Sequence, residues 1–164
     1  FEGERLLVRR IVSGDKLNAT KVSDVYICNT DVFTLKLKKT NGKFRLEFFL
    51  GIIGSLACAA HLKSQNVNLD RASFPKINTK TLKPFPVPKL DLDNPADKAK
   101  HDAVVAQVEL MLAKQKELQQ LENELDERRH EVVADIAHID KKIDALVYEL
   151  YDLTPEEIAI VEGR

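Results

Sequence analysis

The chain has 164 residues, with 25 Lys/Arg against 26 Asp/Glu, and 44% of its residues are hydrophobic. That is room for one compact domain plus an appendage, and no 18-residue apolar run offers a membrane span. The near-zero net charge hides a split: residues 1–89 carry 16 Lys/Arg against 7 Asp/Glu, and residues 90–164 carry 9 against 19. A net of +9 on the first part points to a polyanion such as nucleic acid, unless the two parts simply neutralise one another.

In chain order, Glu4–Ile11 reads as a strand of mixed pattern. Val25–Cys28 and Asp31–Lys38 read as two more; in the latter Val32, Thr34, Lys36 and Lys38 alternate with Phe33, Leu35 and Leu37. Arg9 and Arg10 point to opposite faces of the first strand, so at most one can face a ligand. Asn41-Gly42 signals a turn. Leu46, Phe49, Leu50, Ile53, Leu56, Ala57 and Ala60 then keep a helical period, which predicts one helix over about 45–64, packed on the sheet.

Residues 64–73 are polar and loop-like. Phe74–Ile77 is a short extended piece, and Asn78 and Thr79 suit the cap of one turn through Leu82. The prolines of Phe85-Pro86-Val87-Pro88 force extended backbone. Leu90–Pro95 is a linker, where the charge changes sign.

Between Pro95 and Pro155 there is neither glycine nor proline. Val104, Val108, Met111, Leu118, Leu121, Leu125, Val132, Ile136, Ile139, Ile143, Leu146 and Leu150 recur at steps that favour one helical stripe. The pattern predicts a mostly continuous helical arm over about 96–152, interrupted in its stripe at Gln115 and at Arg128/Arg129. The expected partner of the stripe is another copy, other parts of a parent protein, or the basic domain. Thr154-Pro155-Glu156-Glu157 starts a short terminal helix with a capping box.

Little chemistry is visible. Glu127/His130 and Asp135/His138 have i, i+3 spacing, but Arg128, Arg129, Lys141 and Lys142 around them mark a solvated face rather than a metal site. Cys28 and Cys58 sit among apolar neighbours and read as free buried thiols of a reducing compartment. His61 and His101 have no suggestive Asp or Ser partner. No phosphate-binding glycine motif, no Glu-x-Lys nuclease ending and no secretory signal is present, and the chain opens at Phe1 with Met111 its only methionine. The expectation is a non-catalytic piece of a longer protein.

Taken as an ordered set, Leu6–Ile11, Asp31–Leu35, Phe48–Ser55, Phe74–Ile77, Phe85–Pro88, Ile143–Tyr151 and Leu153–Ile158 resemble the TaqI-like C-terminal specificity domain of type IIG restriction-modification enzymes. They are also similar to half of a type I specificity subunit. The closing Ile143–Ile158 stretch is the most specific part; Gly54-Ser55 departs from the family's usual Asn-Ser. The resemblance implies an α+β fold: a small mixed β-sheet target recognition domain with a packed helix (1–89), a linker (90–95), a long coiled-coil-like helical arm (96–152) and a short C-terminal helix (153–164). It implies sequence-specific recognition of double-stranded DNA in the bacterial cytoplasm, for methyltransferase and nuclease portions of a parent chain that would use S-adenosylmethionine and Mg. This fragment itself would hold no cofactor.

In that reading Gln65, Asn66, Asn68 and Arg71 are the candidates for base contacts, and Lys38, Lys39, Lys43 and Lys76 for phosphates. A homodimer through the arm is a possible assembly. The alternative is a coiled-coil protein-interaction module without DNA readout.

Overall fold

The computed structural model describes residues 3–11, 15–25, 28–38, 43–65, 76–121 and 127–164. It is an α+β fold with a long helical arm. β1 (Arg5–Arg9), β2 (Ala19–Val22) and β3 (Val32–Leu35) form a sheet in the order β2-β1-β3. Both ladders are antiparallel, with Leu6 opposite Lys21 on one side and Leu35 on the other. Where a mixed sheet was expected, both ladders among the described residues are antiparallel, and because β3 pairs with β1 rather than with β2 the order of strands in the sheet differs from their order in the chain. A strand lies at Ala19–Val22; of the expected strand Val25–Cys28, Tyr26 and Ile27 lie outside the described residues, and Val25 and Cys28 are in no strand. Lys21 of β2 reaches the buried Glu47 at 2.6 Å, a contact the sequence pattern could not show. The third strand is shorter than expected, and the Asn41-Gly42 turn lies outside the described residues.

The expected single helix over 45–64 is two: α1 (Leu46–Ile53) and α2 (Leu56–Ser64), bent by 57°. Ser55 makes the break. Its backbone is extended, and its hydroxyl accepts from the Cys58 N–H at 3.2 Å while donating to the Ile52 carbonyl at 2.7 Å. A serine that caps a new helix ends the old one. α3 (Thr79–Leu82) is one turn capped by the Asn78 side chain, as expected.

The arm is α4 (Pro95–Gln120) and α5 (Glu127–Leu150), folded back on one another rather than continuous. Lys114 meets Asp135 at 2.8 Å, and Glu117 accepts from Arg128 Nε at 2.9 Å, so the two helices run antiparallel. The arginine that interrupts the apolar stripe is the one that ties the helices near their reversal. α6 (Pro155–Val161) follows, with the Thr154–Glu157 capping box in place.

One core joins these elements. Leu6 and Val8 of β1, Phe48 and Ile52 of α1, Val104 and Val108 of α4, and Ile143 and Val147 of α5 are all buried in it. Gly51 sets the closest approach: a Cβ there would sit 2.7 Å from Val104 Cγ1 and 3.0 Å from Val108 Cγ2. No single helix among the described residues is long and apolar enough to cross a membrane. α1 and α2 together reach the length and apolarity of a span, but α1 is buried in this core.

Candidate nucleic-acid interface

Which cations are available to an anion depends on which are already neutralised. Arg10 is committed inward: it donates to the carbonyls of Ile77 (3.2 Å) and Thr30 (2.8 Å), and its guanidinium lies 5.1 Å from the centroid of the Phe33 ring. Arg9, one step along, is exposed on the other face, beside Leu7, Ile11, Asn18 and Asn29. The two arginines therefore divide as the strand alternation requires, one structural and one outward.

Of the phosphate candidates, Lys38 is exposed and makes no ion pair among the described residues. Lys43 holds Asp93 at 2.5 Å and Lys76 holds Asp31 at 2.9 Å, both on the surface. The Lys76 hydrogen bond, more than the neighbouring charges of Lys76, Arg10 and Arg9, lowers the Asp31 carboxyl from its ordinary value. Exposed pairs of this kind contribute little stability and open readily to a competing anion. Lys39, Asn66, Asn68 and Arg71 lie outside the described residues. Gln65 is the residue that ends α2, exposed, with its N–H on the His61 carbonyl at 3.2 Å.

The structure brings forward residues the sequence pattern did not single out. Lys80, Lys83 and Lys89 are exposed and, among the described residues, without a carboxylate partner. Lys38 and Lys83 both line a groove of about 760 Å³. Its floor is α1, through Phe49, Ile52 and Ile53; one wall is β3 with its continuation through Leu37 and Lys38; the other is Leu82, Lys83, Phe85 and Val87. Among the described residues no acidic side chain lines it. The Lys80/Lys83 spacing, one turn apart on α3 and the residue that ends it, was the available signal, hidden because four residues are too few to show a period.

The closing segment has a structural role. Asp144 is 5% exposed; it accepts the Leu56 N–H at 2.9 Å, at the start of α2, and Lys16 at 2.7 Å. Burial pushes its carboxyl up from the ordinary value, against the pull of those two bonds. Tyr151 donates to the Pro86 carbonyl at 2.7 Å and packs edge-on to Phe85, whose ring in turn meets His61. The proline-rich wall of the groove is thus fastened to the end of the arm.

His101 is 2% exposed between Phe44 and Phe48, and its Nε2 accepts the Arg45 N–H at 3.2 Å. Cys58 is buried, and burial lifts its thiol to about 12; Cys28 is only half-buried, where a buried thiol was expected, because it sits in a surface connection. Asp135 of the Asp135/His138 pair is taken by Lys114, and among the described residues no three His, Cys, Asp or Glu converge.

No family model, curated protein or solved structure matches the chain.

Proposed function

We propose that the chain recognises double-stranded DNA in sequence-specific fashion, as the specificity part of a restriction-modification enzyme. The observation that supports this is the state of its basic part. Lys38, Lys80, Lys83 and Lys89 stand exposed without carboxylates among the described residues, and Arg9 is turned outward, while Lys43 and Lys76 are held only by surface pairs. Cations arranged so can exchange solvent ions for phosphates. Base readout is assigned to the 64–76 segment, through Gln65, Asn66, Asn68 and Arg71.

In this reading the chain supplies recognition, and the chemistry belongs to methyltransferase and nuclease portions that use S-adenosylmethionine and Mg in a bacterial cytoplasm. The competing reading, an arm that pairs with a foreign coil or a second copy, leans on the apolar stripe. Part of that stripe is inside the chain: Val104, Val108, Ile139 and Ile143 are all buried in the one core.

Selection from a randomised duplex pool at about 50 and about 150 mM salt tests the proposal. One short motif should be enriched at both. The double variant Lys38→Gln/Lys83→Gln should keep that motif and lower the slope of log K against log salt by roughly 2, about 0.9 for each phosphate that is no longer neutralised. Binding without enrichment, together with an unchanged slope in the variant, would sink it.

A further inference from the structure

The groove beside β3 has the form of a place for one more strand. The hydrogen bonds of the sheet decide which groups face it. The Arg10 N–H donates to the Asp31 carbonyl and the Arg9 N–H to the Asn18 carbonyl, each at 2.8 Å. Even-numbered residues of β1 therefore face β3, and odd-numbered ones face β2. Opposite Val8 and Leu6, residues Phe33 and Leu35 turn their N–H and C=O groups inward to β1. Thr34 turns both of its groups outward, away from the ladder, and they have no partner among the described residues. Among the described residues β3 is the last strand of the sheet on this side. Beyond it lies not open solvent but the groove, with an apolar floor and a far wall at Leu82 and Phe85.

We infer that this groove takes an extended, acidic polypeptide segment that adds to the sheet alongside β3. Main-chain bonds to Thr34 would set its register. Its apolar side chains would turn down onto Phe49 and Ile53, as alternate residues of a strand do. The charge of its partner is set by the rim, where Lys38 and Lys83 stand and, among the described residues, no carboxylate lines the groove. An open edge bounded by apolar residues is a feature that folds normally blunt, and the lysines blunt it against neutral strands while favouring acidic ones. This inference does not rest on the DNA reading, since it turns on the edge of β3.

The test is fluorescence anisotropy on the full chain with a labelled hexapeptide, Glu-Val-Asp-Ile-Glu-Val. Saturable binding is expected. The same peptide N-methylated at alternate amides, which cannot pair with a strand edge, should bind at least about tenfold more weakly, as should a version with Lys in place of its acids. Thr34→Pro should abolish binding of the parent peptide. Because the Thr34 N–H points away from β1, that change removes no bond of the sheet, and duplex DNA binding should be unaltered. If the variant does not fold, the methylated peptide decides alone. Equal affinity of parent and methylated peptides, no saturable binding of the parent, or its displacement by a short oligothymidylate would overturn the inference, the last in favour of a nucleic-acid groove.

Discussion

Two residues carry sharp consequences at their own scale. Gly51→Ala adds one methyl between α1 and α4, where Val104 Cγ1 and Val108 Cγ2 leave it no room. Alanine would favour the helix by about 1 kcal/mol, but overpacking costs roughly 1–3 kcal/mol and wins. The urea midpoint should fall. Asp144 makes a prediction about pH. Its carboxyl is raised above the ordinary 3.8, chiefly by burial, so the folded chain binds that proton more tightly than the unfolded one. Its contribution to stability therefore declines as pH rises through the interval above 3.8 and then levels off. Measured as urea midpoints against pH, wild type minus Asp144→Asn should fall across that interval; a difference that rises would contradict the burial argument. Of the residues in the candidate site, the division of Arg9 from Arg10 was legible, since it follows from strand alternation. Lys83 was not, because its place on a rim depends on Phe85 and on Tyr151, 65 residues on, holding Pro86.

At the scale of elements, the sequence marked where helices exist better than where they stop. The apolar period runs unbroken through Ile53 and Leu56, so only a capping serine reveals the bend at Ser55. Ser55→Ala should cost about 1 kcal/mol, as its bond to the Cys58 N–H disappears, and thermal unfolding would register it. The arm's reversal had a trace in the sequence, Arg128 in the midst of the stripe, but a polar residue in a seam reads equally as a register mark. What separates the two is a contact across the hairpin, Arg128 with Glu117. That contact is exposed, so Arg128→Ala should change stability, measured by urea unfolding, by no more than about 0.5 kcal/mol and leave any DNA preference unchanged. β2 at Ala19–Val22 was missed for a related reason: its Lys21 meets Glu47, a partner 26 residues away that no local pattern shows.

For the whole molecule, the division into a basic domain and an arm describes charge better than it describes packing. α1 has the sheet on one side and α4 and α5 on the other, and all contribute to one core. A fragment of residues 1–89 would expose Leu50 and the Gly51 face of α1. It should lack a cooperative thermal transition, whereas the full chain should unfold in a single step by circular dichroism.

That arrangement fixes an order of events at the ribosome. The sheet can pair as soon as its first forty or so residues emerge, and α1 soon after. The side of α1 around Gly51 waits for Val104 and then, last, for Ile143 and Val147. At ~5–20 residues per second, the ninety residues between Ile53 and Ile143 take on the order of 5 to 20 s to make. For that interval the nascent chain presents Leu50 and Gly51, both buried in the finished fold, to its surroundings, and whatever shields nascent apolar helices becomes part of how this protein reaches its fold.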